Sequence, residues 1–440
     1  QKTQLLYYDY PLRLILFTCQ AAAPMTTETV QKTKLLTPLL LLFMVAMILA
    51  NLGGSMYGPL EALYLKDLGA GIGQIGLFYT LSQIIPLALQ ILGGWISDSL
   101  GRLRAIAIGS VVGVLVYIPL LLATRWEWVL VASAFSAVTR SLIGPSFDAF
   151  IADHSAPENR ARLFGITQTL FGIVSVVGPI AGGYLVEWIN FKGMLAVAAA
   201  LYLIATFMRI GMAREAARGH EANPAALTFS SLKTNLGAMV VLILAGGLFT
   251  WILITDGVRD IFFGMSMSFL SVYMQDIASL TISQIGFMNS IFGLAMMAVM
   301  IPAGWLADKV GERVNIAISF LLLAFSIGMI ALIPPQSPAW VYAIGWTIAG
   351  IGSGLGTPAY QSLISKAVPQ RLRGVAFGLF STSLGLVSLP APMIGGYLWE
   401  HVSPQFPFLL TAGISLLSII PVWLKFKTSG DLNVDPHKPA

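Results

Sequence analysis

Gly93-Gly94-Trp95-Ile96-Ser97-Asp98-Ser99-Leu100-Gly101-Arg102-Leu103-Arg104 is a glycine-rich, charged link between two long apolar runs. The same G-x-x-x-D-x-x-G spacing returns 210 residues later at Gly304-Trp305-Leu306-Ala307-Asp308-Lys309-Val310-Gly311, with Trp after the first Gly in both copies. That offset is about half of the 440-residue chain, as expected of a duplicated membrane protein with one such turn per half.

Working outward from the two turns, the chain is mostly apolar. Charged residues make up 10% and apolar residues 56%, against roughly 25% charged in an average soluble domain. Runs long enough to cross a bilayer as helices recur, and no period-2 alternation suggests a barrel. The fold class is therefore an all-α membrane protein. Spans are expected at 37–66, 74–97, 102–123, 127–152, 162–188 and 192–213, then at 240–275, 282–307, 313–334, 337–366, 372–399 and 405–426. These make two pseudo-symmetric six-helix bundles, 36–213 and 236–427, joined by the polar linker 214–235. Residues 1–35 read as a disordered N-terminal extension, with Leu14 to Ala23 too short to span, and 428–440 as a tail.

Lys and Arg set the orientation. Even-numbered links and the ends hold sixteen of them, whereas odd-numbered links hold Lys66, Arg125 and Lys192. This places both termini in the cytoplasm of a plasma (inner) membrane protein. The net charge of +5 is then a topology signal, and no nucleic-acid partner is expected. One cysteine, Cys19, excludes a disulfide framework, and four histidines confined to links and ends leave no metal or cofactor site in view.

The repeat extends beyond the turns. Asp67 ahead of Gln74-Ile75-Gly76 echoes Asp276 ahead of Gln284-Ile285-Gly286. Gly165, Gly172, Pro179, Gly182, Gly183 and Tyr184 echo Gly378, Gly385, Pro392, Gly395, Gly396 and Tyr397 at an offset of 213. With twelve spans and a central linker, residues 36–427 resemble the major facilitator superfamily, for which the duplicated turn is specific. Ser99 departs from the basic residue usual there, while Lys309 fits. Gly178-Pro179-x-x-Gly182-Gly183 resembles the helix 5 antiporter motif, although its expected upstream Gly is Val174.

Two sets of residues carry the expected chemistry. At the cytoplasmic gate, Gly94 and Gly304 permit close helix approach, Gly101 and Gly311 close the turns, and Asp98 and Asp308 can accept from free N–H groups at a helix start. The resemblance implies partners: Asp98 with the start of helix 11 near Arg371 and Arg373, and Asp308 with the start of helix 5 near Arg160 and Arg162. Asp153 is expected to pair with the Arg102 region. In the cavity, Asp256, Arg259 and Asp260 share one face of helix 7 at i, i+3 and i+4. Intramembrane charges at roughly 2.5 to 3.5 kcal/mol each imply mutual pairing and a water-accessible lining. The other reading of that run is a loop between 237–255 and 261–275. Arg140, in an R-x-x-x-G stretch resembling the family's helix 4 motif, is the second cation and a competitor for Asp260. Asn51, opposite Asp260 in the repeat, and Asn289 are further polar candidates, with Gln83, Tyr342 and Trp346.

These readings imply a secondary active transporter working by alternating access, with proton-coupled export of a small organic or amphipathic compound as the expected activity. The alternatives are an uptake symporter or uniporter, and a non-transporting receptor. An enzyme is not expected, because no intramembrane His or Cys supplies a base or nucleophile, and no G-x-x-x-x-G-K-[ST] supports an ATP-driven pump. The expected partners are the small-molecule substrate, protons and the lipid bilayer, around a monomer.

Overall fold

The computed structural model describes residues 37–100, 102–153, 157–216, 247–368 and 385–426. Among them the chain is helical throughout with no strand, the state in which a backbone without access to water satisfies its own polar groups. In order the helices are α1 (Pro38–Tyr57), α2 (Glu61–Asp67), α3 (Ile72–Leu100), α4 (Arg102–Leu122), α5 (Glu127–Asp153) and α6 (Pro157–Ala216). The second half holds α7 (Leu248–Met267), α8 (Leu270–Asp276), α9 (Ile282–Val310), α10 (Glu312–Leu332), α11 (Ala339–Ala367), α12 (Ala391–His401), α13 (Phe406–Leu417) and α14 (Ile419–Lys425). Eight helical stretches among the described residues are long and apolar enough to cross a membrane; α7, with three charged residues in its 20, is not one of them. The extension 1–35, the linker beyond Ala216 and the tail lie outside the described residues.

Helix starts and breaks follow local chemistry. Thr281 opens α9 with a capping box: its Oγ1 accepts from Gln284 N at 3.3 Å, and Gln284 Oε1 accepts from Thr281 N at 3.0 Å. The repeat partner Gln74 reaches back to Gly71 N at 2.9 Å, which gives the echoed glutamines a shared physical reason. The expected first span is interrupted by a 3-10 turn, Gly58–Leu60, containing Pro59. The seventh is interrupted at Ser268 and Phe269, between α7 and α8. The expected fifth and sixth spans form one run, α6, bent at Ile189 and Asn190; Asn190 adopts φ 64°, and its Oδ1 accepts from Gly193 N at 3.0 Å to start the following limb.

α6 packs along α9, and α3 along α12, so each of these contacts joins one repeat half to the other. Each half keeps an apolar core of its own, with Phe43 between Phe147 and Phe150 in the first and Phe320 against Tyr360 in the second.

Candidate functional site

The run Asp256 to Asp260 is continuous helix within α7, so the loop alternative does not apply. Arg259 donates to Asp256 Oδ1 from Nε at 3.0 Å and from a terminal nitrogen at 2.7 Å. The same nitrogen reaches Asp260 Oδ1 at 3.4 Å. The two acids are thus unequal: the Asp256 side chain is 4% exposed and Asp260 30%. Beneath them the Arg259 guanidinium lies 5.1 Å from the Phe320 ring centroid, a cation–π contact that supports it from the core side.

The first half holds a half-open cavity of about 990 Å³. Asn51, Gln83 and Arg140 line it, as the sequence suggests, and so does Glu61, which the sequence reading passed over. Glu61 opens α2 just after the 3-10 turn and lies among Tyr57, Tyr79 and Arg140. Among the described residues no ion pair joins Arg140 to Asp260; the carboxylate that faces Arg140 is Glu61. Asp256, Arg259, Asp260 and Asn289, expected in the same cavity, lie outside this lining; Asn289 donates to Ile285 O on its own helix at 2.9 Å. Tyr342 is core, 1% exposed, with its hydroxyl donating to Pro334 O at 3.3 Å. Asn51 lines the cavity while donating to Met47 O at 2.8 Å.

At the opposite end of the helices the gate residues divide. Gly101 and Arg373 lie outside the described residues, as do the side chains of Asp98 and Asp153 and the surroundings of Gly94. Arg102 is engaged with a partner. A Cβ on Gly304 would meet open space, so the close helix approach expected there is not made, and Asp308 is exposed with no hydrogen bond or ion pair among the described residues. Gly311 has φ 88°, which only glycine adopts without strain, and serves the turn itself. The anchored acid of this second turn is its neighbour Glu312, which accepts from Ser362 Oγ at 2.7 Å and pairs with Lys366.

The end bearing the 67–72 and 276–282 links is clamped by contacts that obey the repeat. Glu187 accepts from Ser283 N at 2.8 Å, and its equivalent Glu400 accepts from Gly73 N at 2.8 Å. Each carboxylate sits on the free N–H groups and positive dipole end of a helix from the other half. One turn deeper, a Cβ on Gly76 would stand 2.6 Å from Pro392 O, and one on its equivalent Gly286 would collide with Pro179 O. Lys66 adds an ion pair to Asp276 and a 3.0 Å hydrogen bond to Gln275 Oε1.

A helical membrane chain of two repeat halves, clamped crosswise at one end and hollow within, defines a class of transport protein. The family model of the Major Facilitator Superfamily matches residues 43–258 and 252–439, and the chain belongs to that superfamily. It is similar to the quinolone resistance protein NorA of Staphylococcus aureus (strain MRSA252), 22% identical with 85% of this chain and 93% of that one covered. It is 25% identical to the class C tetracycline resistance protein of Escherichia coli (76% and 81%), and 24% identical to the PmrA homolog of Lactococcus lactis subsp. lactis, named a multi-drug resistance efflux pump (85% and 91%). The solved nucleoside transporter NupG superimposes with a TM-score of 0.72 at 16% identity, over 89% of this chain and all of that one, which establishes the fold alone. The chain is thus a transporter of the superfamily, with a small molecule as substrate and a bilayer as its setting.

Proposed function

We propose that this transporter exports a small organic or amphipathic compound in exchange for protons, alternating access between two six-helix bundles, 36–213 and 236–427. The carrying observation is the cavity of the first half in which Arg140 faces Glu61 without a closed ion pair, in a chain whose halves are clamped at one end by largely repeat-related contacts. Lys and Arg placement assigns the clamped end to the outside. Asp308 at the other end, exposed and without a partner among the described residues, supports an inward-facing state, ready to load from the cytoplasm. Resistance and efflux names among the relatives favour export.

The test is uptake into inside-out vesicles with an imposed gradient, acidic inside. An amphipathic dye is expected to accumulate only while the gradient stands, and the uptake alternative requires accumulation in right-side-out vesicles instead.

The clamp has its own test. Gly286→Val places atoms where the Pro179 carbonyl cannot yield, so the outer end is expected to open. In a Cys19→Ser background, Ser271→Cys should then react several-fold faster with an impermeant maleimide applied to whole cells. Unchanged labelling would remove the clamp from the mechanism.

A further inference from the structure

Arg209, on the second limb of α6, is the charge that the proposed cycle does not use. It is 1% exposed and also borders the cavity of the first half. Its terminal nitrogens donate to Ser110 Oγ at 2.8 Å, to Met47 Sδ at 2.9 Å and to Ala46 O at 3.4 Å. Its Nε–H has no partner, and no carboxylate pairs with it among the described residues. The contrast with Arg259 is direct: that guanidinium, 19% exposed, has two carboxylates beside it on the same helix. A buried ion held by neutral acceptors and a Tyr202 ring 5.9 Å away, with no counter-charge among the described residues, is costly in an apolar setting, and an intramembrane charge kept in that condition marks a functional position.

We propose that Arg209 anchors a carboxylate subsite in the wall of this cavity, so that the transported compounds include amphipathic organic acids; this rests on the transport reading above. Among the described residues the charged lining consists of Glu61, Arg140 and Arg209, two cations against one acid, which leaves one positive charge there for a ligand to balance. The 3.4 Å bond to a carbonyl and the thioether contact are weak enough for a carboxylate to displace. With the free Nε–H beside them, they form the planar two-donor edge that a carboxylate matches. Phe147, Phe171 and Tyr117 line the same cavity and suit an aromatic or aliphatic body.

The experiment uses the full chain in detergent, with 2-naphthoate and its neutral isostere 2-naphthamide as probes, read by calorimetric binding and by melting temperature. The wild type should bind naphthoate and raise its melting temperature with it, and should do neither with naphthamide. Arg209→Met should weaken naphthoate binding about tenfold or more, with Arg209→Lys intermediate. Ser110 Oγ keeps its bond to Ile106 O without Arg209, so the unliganded Arg209→Met protein should melt no lower than the wild type. The assignment is overturned if the wild type ignores naphthoate or binds both probes alike, if Arg209→Met binds as the wild type does, or if that variant fails to fold. No gradient is imposed, so a protein that exports nothing can still pass, and an exporter of neutral compounds alone fails here while keeping its transport.

Discussion

Asp256→Asn is expected to destabilise the protein by about 3 kcal/mol, enough to remove most of it from the folded pool of a marginally stable chain. The carboxylate is 4% exposed and one of its oxygens takes two hydrogen bonds from Arg259. Asparagine keeps the shape and an acceptor oxygen but leaves the guanidinium short of its closest counter-charge. Removing one partner of a buried pair costs roughly 3 to 5 kcal/mol, and the low end applies because Asp260 remains 3.4 Å away. Removing the cation as well should reverse much of the loss, so the Asp256→Asn, Arg259→Gln double variant should be more stable than Asp256→Asn alone. Thermal unfolding in detergent, followed by size-exclusion recovery, measures both. Equal melting of Asp256→Asn and wild type would mean that the pair has no structural role.

The sequence made the duplication and the fold legible because the turn repeats with its glycines, acid and tryptophan intact, and apolar length picks out eight of the helical stretches among the described residues, though not the charged α7. The cavity was half legible. Arg140 and Asn51 announce themselves as polar residues in apolar runs. Glu61 stands six residues before a link and reads as a span end, until a 3-10 turn at Pro59 shows that the helix is interrupted there and the side chain lines the cavity. Arg209 was hidden for the same reason, since a basic residue five positions before Arg214 passes for a cytoplasmic anchor. The clamp illustrates a different limit. An offset of 213 shows that Gly183 and Gly396 are equivalent, but not that each meets the other half: the Ile282 carbonyl would lie 2.8 Å from a Cβ on Gly183, and the Ile72 carbonyl 3.2 Å from one on Gly396. Repeats reveal equivalence, while contact depends on how the halves cross.

Asp260→Asn is expected to abolish gradient-driven accumulation while leaving substrate exchange within a few-fold of wild type. With Asp256 absorbing the strong bonds of Arg259, Asp260 is the acid of the pair that can lose its charge without stranding a buried cation. Its side chain is 30% exposed and reaches Arg259 at 3.4 Å alone, so protonation would leave Arg259 where it is. Each pH unit of gradient supplies about 1.36 kcal/mol per proton carried. A permanently neutral Asn cannot collect that energy, yet it resembles the protonated state through which the carrier passes when it exchanges substrate. Glu61 is the rival, an acid in the cavity itself beside Arg140. If its work is to hold Arg140 and shape the substrate site, Glu61→Gln should slow transport and change which compounds are taken, with accumulation still uphill. Paired assays in the same vesicles separate the two: counterflow without a gradient reads exchange, and dye accumulation under an imposed gradient reads coupling. The reverse pattern, uphill transport surviving Asp260→Asn and lost in Glu61→Gln, would move the proton from helix α7 to the start of helix α2.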